Sequence, residues 1–279
     1  MKTLWLVLAA ATLIVQEARG DLTLFDAGGF EGYAVGELVG QNGWASLNGF
    51  TDVFRVQNAG VGGSRGVAVA SGRPDSVFPP INYTPTVGSG EIIRIEADIA
   101  RTLGTTSSPS FVFAVDVYQE GSRITRFGLQ HSGGTIVPFV TSRTRTNGEF
   151  FAGGNSANVA VGGSLPANVF QSFRADLNFD SKSLNLFVNE VSVTGSSSIP
   201  FVFQGAFAIS DADLQVSTTS GADDVGFFDN YRVRSIAVPE PASSILAMIP
   251  LAAIAFRRRL RWSVQMFRRT GKTRFMEPD

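Results

Sequence analysis

Between Asp21 and Ala237 apolar and polar residues alternate with a period of two, and little of the chain repeats at helical spacing. Ile93, Ile95, Ala97 and Ile99 interleave with Arg94, Glu96 and Asp98. Phe111, Phe113, Val115 and Val117 form a second run, closed by the turn signal Gln119-Glu120-Gly121-Ser122, and Ile124–Leu129 is the return strand. Phe173, Ala175, Leu177 and Phe179 alternate with Arg174, Asp176 and Asn178; Leu184, Leu186 and Val188 follow in the same way. Asn189-Glu190 reads as a tight turn into Val191–Thr194. Phe201–Ile209 and Val225–Val233 read as the last two strands. Gly, Ser and Asn fill the intervals, as in Gly60–Gly66, Gly153–Asn158 and Gly162-Gly163-Ser164. A strand with one apolar face must bury that face against another, so the expected fold is all-β, antiparallel, with two stacked sheets.

The two ends break this pattern. Leu4–Val15 is a 12-residue apolar run behind Lys2, and Ala18 and Gly20 are small residues just before Asp21. That order predicts a cleavable export signal cut between Gly20 and Asp21, the run being shorter than the roughly 20 residues a membrane span needs. At the other end, Val238-Pro239-Glu240-Pro241 precedes the 15-residue apolar stretch Ala242–Phe256, which contains Pro250, and the basic cluster Arg257, Arg258, Arg259 and Arg261. The stretch is marginal as a permanent anchor, and the arginines would stay cytoplasmic and stop translocation. The expected organisation is a signal peptide at 1–20, a sandwich domain at 21–237, a C-terminal tag at 238–261 carrying a short transmembrane helix, and a basic tail at 262–279.

Two resemblances bear on these segments. The order Pro-Glu-Pro, apolar stretch, arginine cluster resembles the PEP-CTERM sorting signal. That family implies recognition of Pro239-Glu240-Pro241 by an exosortase-type membrane transpeptidase, with transient anchoring in the inner membrane. The continuation Trp262–Asp279 departs from the family, whose tags usually end after the basic cluster. The body is similar to concanavalin A-like, laminin G-like jelly rolls in three segments: Phe25 through Tyr33 to Trp44, Phe173–Val193, and Gly226-Phe227-Phe228-Asp229-Asn230-Tyr231-Arg232-Val233. This resemblance implies a jelly-roll fold, a fold in which calcium binding is common.

Charge sharpens the division. The whole chain has a net charge of −1, yet residues 21–238 carry 13 basic and 20 acidic residues, and residues 239–279 carry 8 basic and 3 acidic. An acidic body repels phosphates, so nucleic acid is not an expected partner. The absence of Cys excludes disulfides and thiolate chemistry, and a single His excludes multi-histidine zinc sites. Twenty of the 23 Phe lie in the body, so stability is expected to come from an aromatic core.

Several residue groups could carry chemistry. Gly62-Gly63-Ser64-Arg65-Gly66 matches the G-x-S-x-G hydrolase elbow, with His131 as the sole conceivable base, but no helix pattern follows the serine. Glu96-Ala97-Asp98 half-resembles the E-x-D-x-x-E strand of jelly-roll β-glucanases, with Arg101 in place of the third acid; the residues alternate as a solvated sheet face does. Asp211-Ala212-Asp213 and Asp223-Asp224 have hard-cation character, with calcium the ion in question, or are solvated turns. No other cofactor is expected. Trp44, in a Gly/Asn loop, and Tyr33, Tyr83, Tyr118 and Tyr231 are candidates for stacking on sugar rings, with a core role as the alternative. The expected function is that of an exported, non-enzymatic cell-surface or extracellular-matrix protein with a polysaccharide-binding or structural role. The alternative is an atypical glycoside hydrolase or lyase acting on the same polymer.

Overall fold

The computed structural model describes residues 21–70, 73–106, 111–119, 121–142, 159–195, 198–201, 208–217 and 223–237. The signal-peptide residues Gly20 and those before it, the sorting motif Val238–Pro241 and the cluster Arg257–Arg261 lie outside them. No helix among the described residues is long and apolar enough to cross a membrane.

Strands come in chain order as β1 (Leu22–Asp26), β2 (Gly36–Glu37), β3 (Ala45–Ser46), β4 (Phe54–Gln57), β5 (Gly66–Ala70) and β6 (Asp75–Phe78). The long middle strands are β7 (Ile92–Thr102), β8 (Val112–Gln119), β9 (Ser122–Ser132) and β10 (Thr135–Ser142). There follow β11 (Val159–Ala160), β12 (Gln171–Asn178), β13 (Ser183–Val188), β14 (Val191–Ser192), β15 (Ile199–Pro200), β16 (Ile209–Ser217) and β17 (Val225–Ile236). Two 3-10 turns, Gly28–Phe30 and Val61–Gly63, complete the elements. The strands form an antiparallel sandwich. One sheet has ten strands with the main path β14-β13-β12-β7-β17-β5-β4-β2; the other has seven, ordered β11-β10-β9-β8-β16-β6-β3.

Period two dictates what each strand buries. Ile93, Ile95, Ala97 and Ile99 of β7, Phe173, Ala175 and Leu177 of β12, and Leu184 and Leu186 of β13 all point into one core. From the other sheet come Phe113, Val115 and Val117 of β8, Phe127 and Leu129 of β9, and Ala212, Leu214 and Val216 of β16. Phe127 and Phe173 stack across the two sheets with centroids 6.3 Å apart. Sheet-to-sheet contact is close enough to require glycine at one position: a Cβ on Gly226 would stand 2.0 Å from Phe113 Cδ1.

Turn chemistry follows the expected residues. Asn189 and Glu190 both take positive φ (49° and 63°) between β13 and β14, as a primed hairpin turn requires. One expectation is corrected. Most of the strand expected at Phe201–Ile209 lies outside the described residues, and the described strand there, β16, runs from Ile209 to Ser217. Asp211 and Asp213 therefore lie in β16, between β8 and β6, and not in a turn.

Candidate active site

With Ala212, Leu214 and Val216 turned into the core, Asp211, Asp213 and Gln215 must occupy the outer face of the seven-stranded sheet. Register decides their neighbours. Asp213 lies directly opposite Asp116 on β8, and Asp211 opposite Tyr118. On the far side of β8, Asp116 faces Arg126 and Tyr118 faces Arg123 of β9. Three carboxyl groups, two guanidinium groups and a phenol thus meet on three adjacent strands. Beyond them the same face turns neutral, through Gln215 and Ala114, then Gly128 and Phe139.

The acids are not equivalent. Asp116 is fully buried and held by Arg126 in a two-point ion pair, with Nη2 to Oδ2 at 2.6 Å. Arg123 Nη1 adds a contact at 3.3 Å, and Tyr118 donates its hydroxyl to Asp116 Oδ2 at 3.3 Å. Asp213 is 2% exposed and, among the described residues, has no such cation and no hydrogen-bond partner for its buried Oδ1. Burial, then the charge of Asp211 and a hydrogen bond to it, push the Asp213 carboxyl up to about 10. Asp211 is raised as well, mainly by burial. Like charges directly opposite on paired strands repel, so a protonated Asp213 is also what the register beside ionised Asp116 calls for. Tyr118 is shifted upward by its own burial and by Asp116, so it stays a neutral hydroxyl donor. The result is an ionised, guanidinium-held carboxylate facing a protonated carboxylic acid. A guanidinium-held carboxylate beside a carboxyl that keeps its proton is the pattern of a nucleophile or base and an acid. Asp211, Tyr118, Arg123 and Arg126 are partly exposed, whereas Asp116 and Asp213 are buried among them.

Most residues singled out from sequence lie elsewhere. Trp44 is corrected to a core residue: it is 2% exposed, donates Nε1 to the Tyr33 hydroxyl at 3.2 Å, and packs edge-on against Phe25 with centroids 5.5 Å apart. It has no free face for a sugar. Trp44→Ala is expected to cost about 3–5 kcal/mol of stability and to leave glycan affinity of the folded fraction unchanged, measured by denaturant titration and by isothermal calorimetry. Tyr33 and Tyr231 are buried too, and Tyr83 is tied to Glu91 at 2.6 Å.

Glu96 and Asp98 lie on the ten-stranded sheet, away from the acid group. Glu96 pairs with Arg234 at 2.7 Å, and Asp98 accepts from Asn230 Nδ2 at 2.6 Å. Arg101 is buried against Asp224. Ser64 is no elbow nucleophile: its hydroxyl contacts Val61 O and Asp229, and it precedes β5 of one sheet while His131 ends β9 of the other. Asp229 is a loop anchor, accepting also from the amides of Val61 and Asn230. Of the acids considered for calcium, Asp223 binds the backbone of Thr105 and Thr106 and Asp224 binds Gly104, so their oxygens are occupied. Among the described residues no group of three or more His, Asp or Glu is arranged to hold a metal ion. Asp116, Arg123, Arg126 and the strand setting of Asp213 were not singled out from sequence. The available signal was the alternation of Asp211, Asp213 and Gln215 with Ala212, Leu214 and Val216.

No protein-family model and no curated protein matches the chain. Solved structures do. An alginate lyase from Pseudomonas aeruginosa is 13% identical, over 66% of this chain and 86% of its own, with a TM-score of 0.47. An endo-1,3-beta-glucanase from Streptomyces sioyaensis is 13% identical over 79% and 98%, with a TM-score of 0.47. A carbohydrate esterase from the Shiga toxin-encoding bacteriophage phi24B is 12% identical over 78% and 100%, with a TM-score of 0.48. At these values the likeness concerns the fold. The expectation of a non-enzymatic binding or structural role is corrected here: the three solved structures just described bear the names of enzymes, where a binding or structural protein was expected. No family membership follows from them, and the chain is placed by its architecture, an antiparallel two-sheet sandwich.

Proposed function

We propose that this chain is an exported enzyme that breaks glycosidic linkages in extracellular polysaccharide, with its reacting centre at Asp116, Asp211 and Asp213. The observation that carries this is the opposition of ion-paired Asp116 to protonated Asp213 at one register position of β8 and β16. A proton donor near a fixed carboxylate is what glycosidic cleavage needs. Tyr118 and Arg123, partly exposed beside them, would line the approach of the polymer. The jelly-roll variety of the sandwich, of concanavalin type, belongs to this reading.

Export rests on Leu4–Val15 and the small residues before Asp21; sorting rests on Pro239-Glu240-Pro241, the apolar stretch and the arginine cluster. An exosortase-type transpeptidase would be the processing partner, after transient insertion in the inner membrane. The product would then act at the cell surface or in the matrix. A mature N-terminus at Asp21, read by mass spectrometry of the exported protein, is the expected result; an intact Met1 terminus overturns export. For activity, the purified protein is expected to release new chain ends from polysaccharide, seen by a reducing-end assay. Glu96→Gln should leave the rate unchanged, and Asp116→Asn should lower it by roughly 100-fold or more. No release by the wild-type protein removes the enzymatic reading.

A further inference from the structure

We propose that Asn42 is a site of self-modification: its side-chain amide is lost by attack of the Gly43 nitrogen, which converts the position to a mixture of aspartate and isoaspartate.

The sequence places Asn-Gly at 42–43, 48–49 and 147–148. Glycine after asparagine lets the chain close on the side-chain carbonyl, because no Cβ shields its nitrogen. The third pair lies outside the described residues. Structure separates the other two. Asn42 and Gly43 are the central residues of a tight turn, with φ of 47° and 86° and a bond from Trp44 N to Gln41 O at 2.9 Å. Both are exposed, and among the described residues nothing hydrogen-bonds the Asn42 side chain. The turn is anchored beside the reacting pair and not at it. Gln41 Oε1 accepts from Ala34 N at 2.7 Å, and Gln41 Nε2 donates to Ala34 O at 3.0 Å and Glu37 O at 2.6 Å. Asn48 is exposed too, but its Nδ2 donates to Pro74 O and its backbone amide to Asp75 Oδ1, both at 3.1 Å. Those bonds pin the side chain that would have to swing over Gly49.

The steps balance with solvent water. The Gly43 nitrogen bonds to Asn42 Cγ and gives up its proton. Ammonia leaves carrying that proton, and a five-membered imide remains. Water then adds to one of the two imide carbonyls and breaks its bond to the Gly43 nitrogen. Opening at Cγ leaves aspartate. Opening at the backbone carbonyl leaves isoaspartate, with the chain now running through Cγ.

The isoaspartyl product lengthens a four-residue turn by one backbone carbon and puts a negative charge where a neutral amide stood. That turn is tied to the core. Gly40 N donates to Trp44 O at 2.8 Å, and Trp44 is buried against Phe25, Phe30 and Tyr231. Distortion of the turn pulls on this aromatic cluster, so the modified fraction unfolds at lower denaturant.

The test incubates the purified full-length protein in warm neutral buffer, native and in urea. Peptides covering both pairs are followed by mass spectrometry, with fragmentation that tells isoaspartate from aspartate. In urea the two pairs should react alike. In the native protein Asn42 should gain one mass unit roughly 10-fold faster than Asn48, whose hydrogen bonds must first break. Equal native rates, a faster Asn48, or a native Asn42 that stays intact while the urea sample reacts overturns the proposal. Aged protein should unfold at a lower urea midpoint than fresh protein. Asn42→Gly, which suits a positive φ and has no amide to lose, should age without that shift; an equal shift in this variant overturns the link from the turn to the core.

Discussion

Asp213→Asn is expected to yield a protein that is more stable and inactive. The two effects have one cause. Folding holds a proton on Asp213, whose carboxyl is pushed up to about 10 by burial and by Asp211, whereas an unfolded aspartate releases it near 3.9. Above pH 4 the unfolded state binds fewer protons than the native state at this group. The linkage slope is therefore negative, and stability falls with rising pH through the window from about 4 to about 10. Its ceiling is about 1.4 kcal/mol per pH unit. Asparagine keeps the shape and has no proton to lose. The variant should match the parent near pH 4 and exceed it by about 1–3 kcal/mol at pH 8, the ordinary cost of a buried polar group poorly served. Urea denaturation at several pH values reads this directly. In the same variant the proton donor is gone, and the rate should drop by about 100- to 10,000-fold. A variant that gains stability and keeps full activity would reduce Asp213 to a structural residue; one that loses stability at pH 8 would show the native carboxyl to be ionised.

The second large effect concerns a pair remote from that centre. Asp224→Ala is expected to destabilise the fold by about 3–5 kcal/mol. Arg101 and Asp224 are both fully buried side chains. Arg101 Nε donates to Asp224 at 3.0 Å, Nη1 donates to Phe111 O at 2.9 Å, and the guanidinium lies 5.2 Å and 5.7 Å from the centroids of Phe111 and Phe113. Asp224 also accepts from the Gly104 amide at 2.6 Å. Removing the carboxylate strands a guanidinium in an apolar pocket, where burial already lowers its proton affinity, and leaves the Gly104 amide short of a partner. The pair as a whole is worth far less than its broken halves, because desolvation offsets much of its attraction. Arg101→Met with Asp224→Leu should therefore recover most of the loss. A double-mutant cycle by chemical denaturation decides it: a cost below about 1 kcal/mol for Asp224→Ala would mean that water reaches Arg101. Catalysis should be unaffected in the folded fraction, because β7 and the start of β17 carry none of the reacting residues.

How far the chain could be read in advance varied by element. β7, β8, β12, β13 and β17 were legible because their apolar residues alternate over long runs between clear turn signals. β10 was not seen: Thr135–Ser142 begins after a Gly-Gly turn and contains Pro138, and proline argues against an inner strand. β16 was misplaced because Asp211 and Asp213 read as turn residues, although the alternation with Ala212, Leu214 and Val216 was there. Burial of Asp213 on an inner strand overrides local propensity because the acid keeps its proton, while Arg123 and Arg126 of β9 answer the charge of Asp116 on β8.

By itself, the sequence determined the fold class, because period-two alternation leaves each strand one face to bury. It also determined the division of charge between body and tail, since that is a matter of counting. The Asn189-Glu190 hairpin was set locally as well, with Asn189 a residue that tolerates positive φ. Tertiary structure alone decided the site. Asp116 and Asp213 are nearly a hundred positions apart, and only the register between β8 and β16 sets them face to face. Their different surroundings come from the same source: among the described residues two arginines reach Asp116 and none reaches Asp213, whose burial then holds its proton.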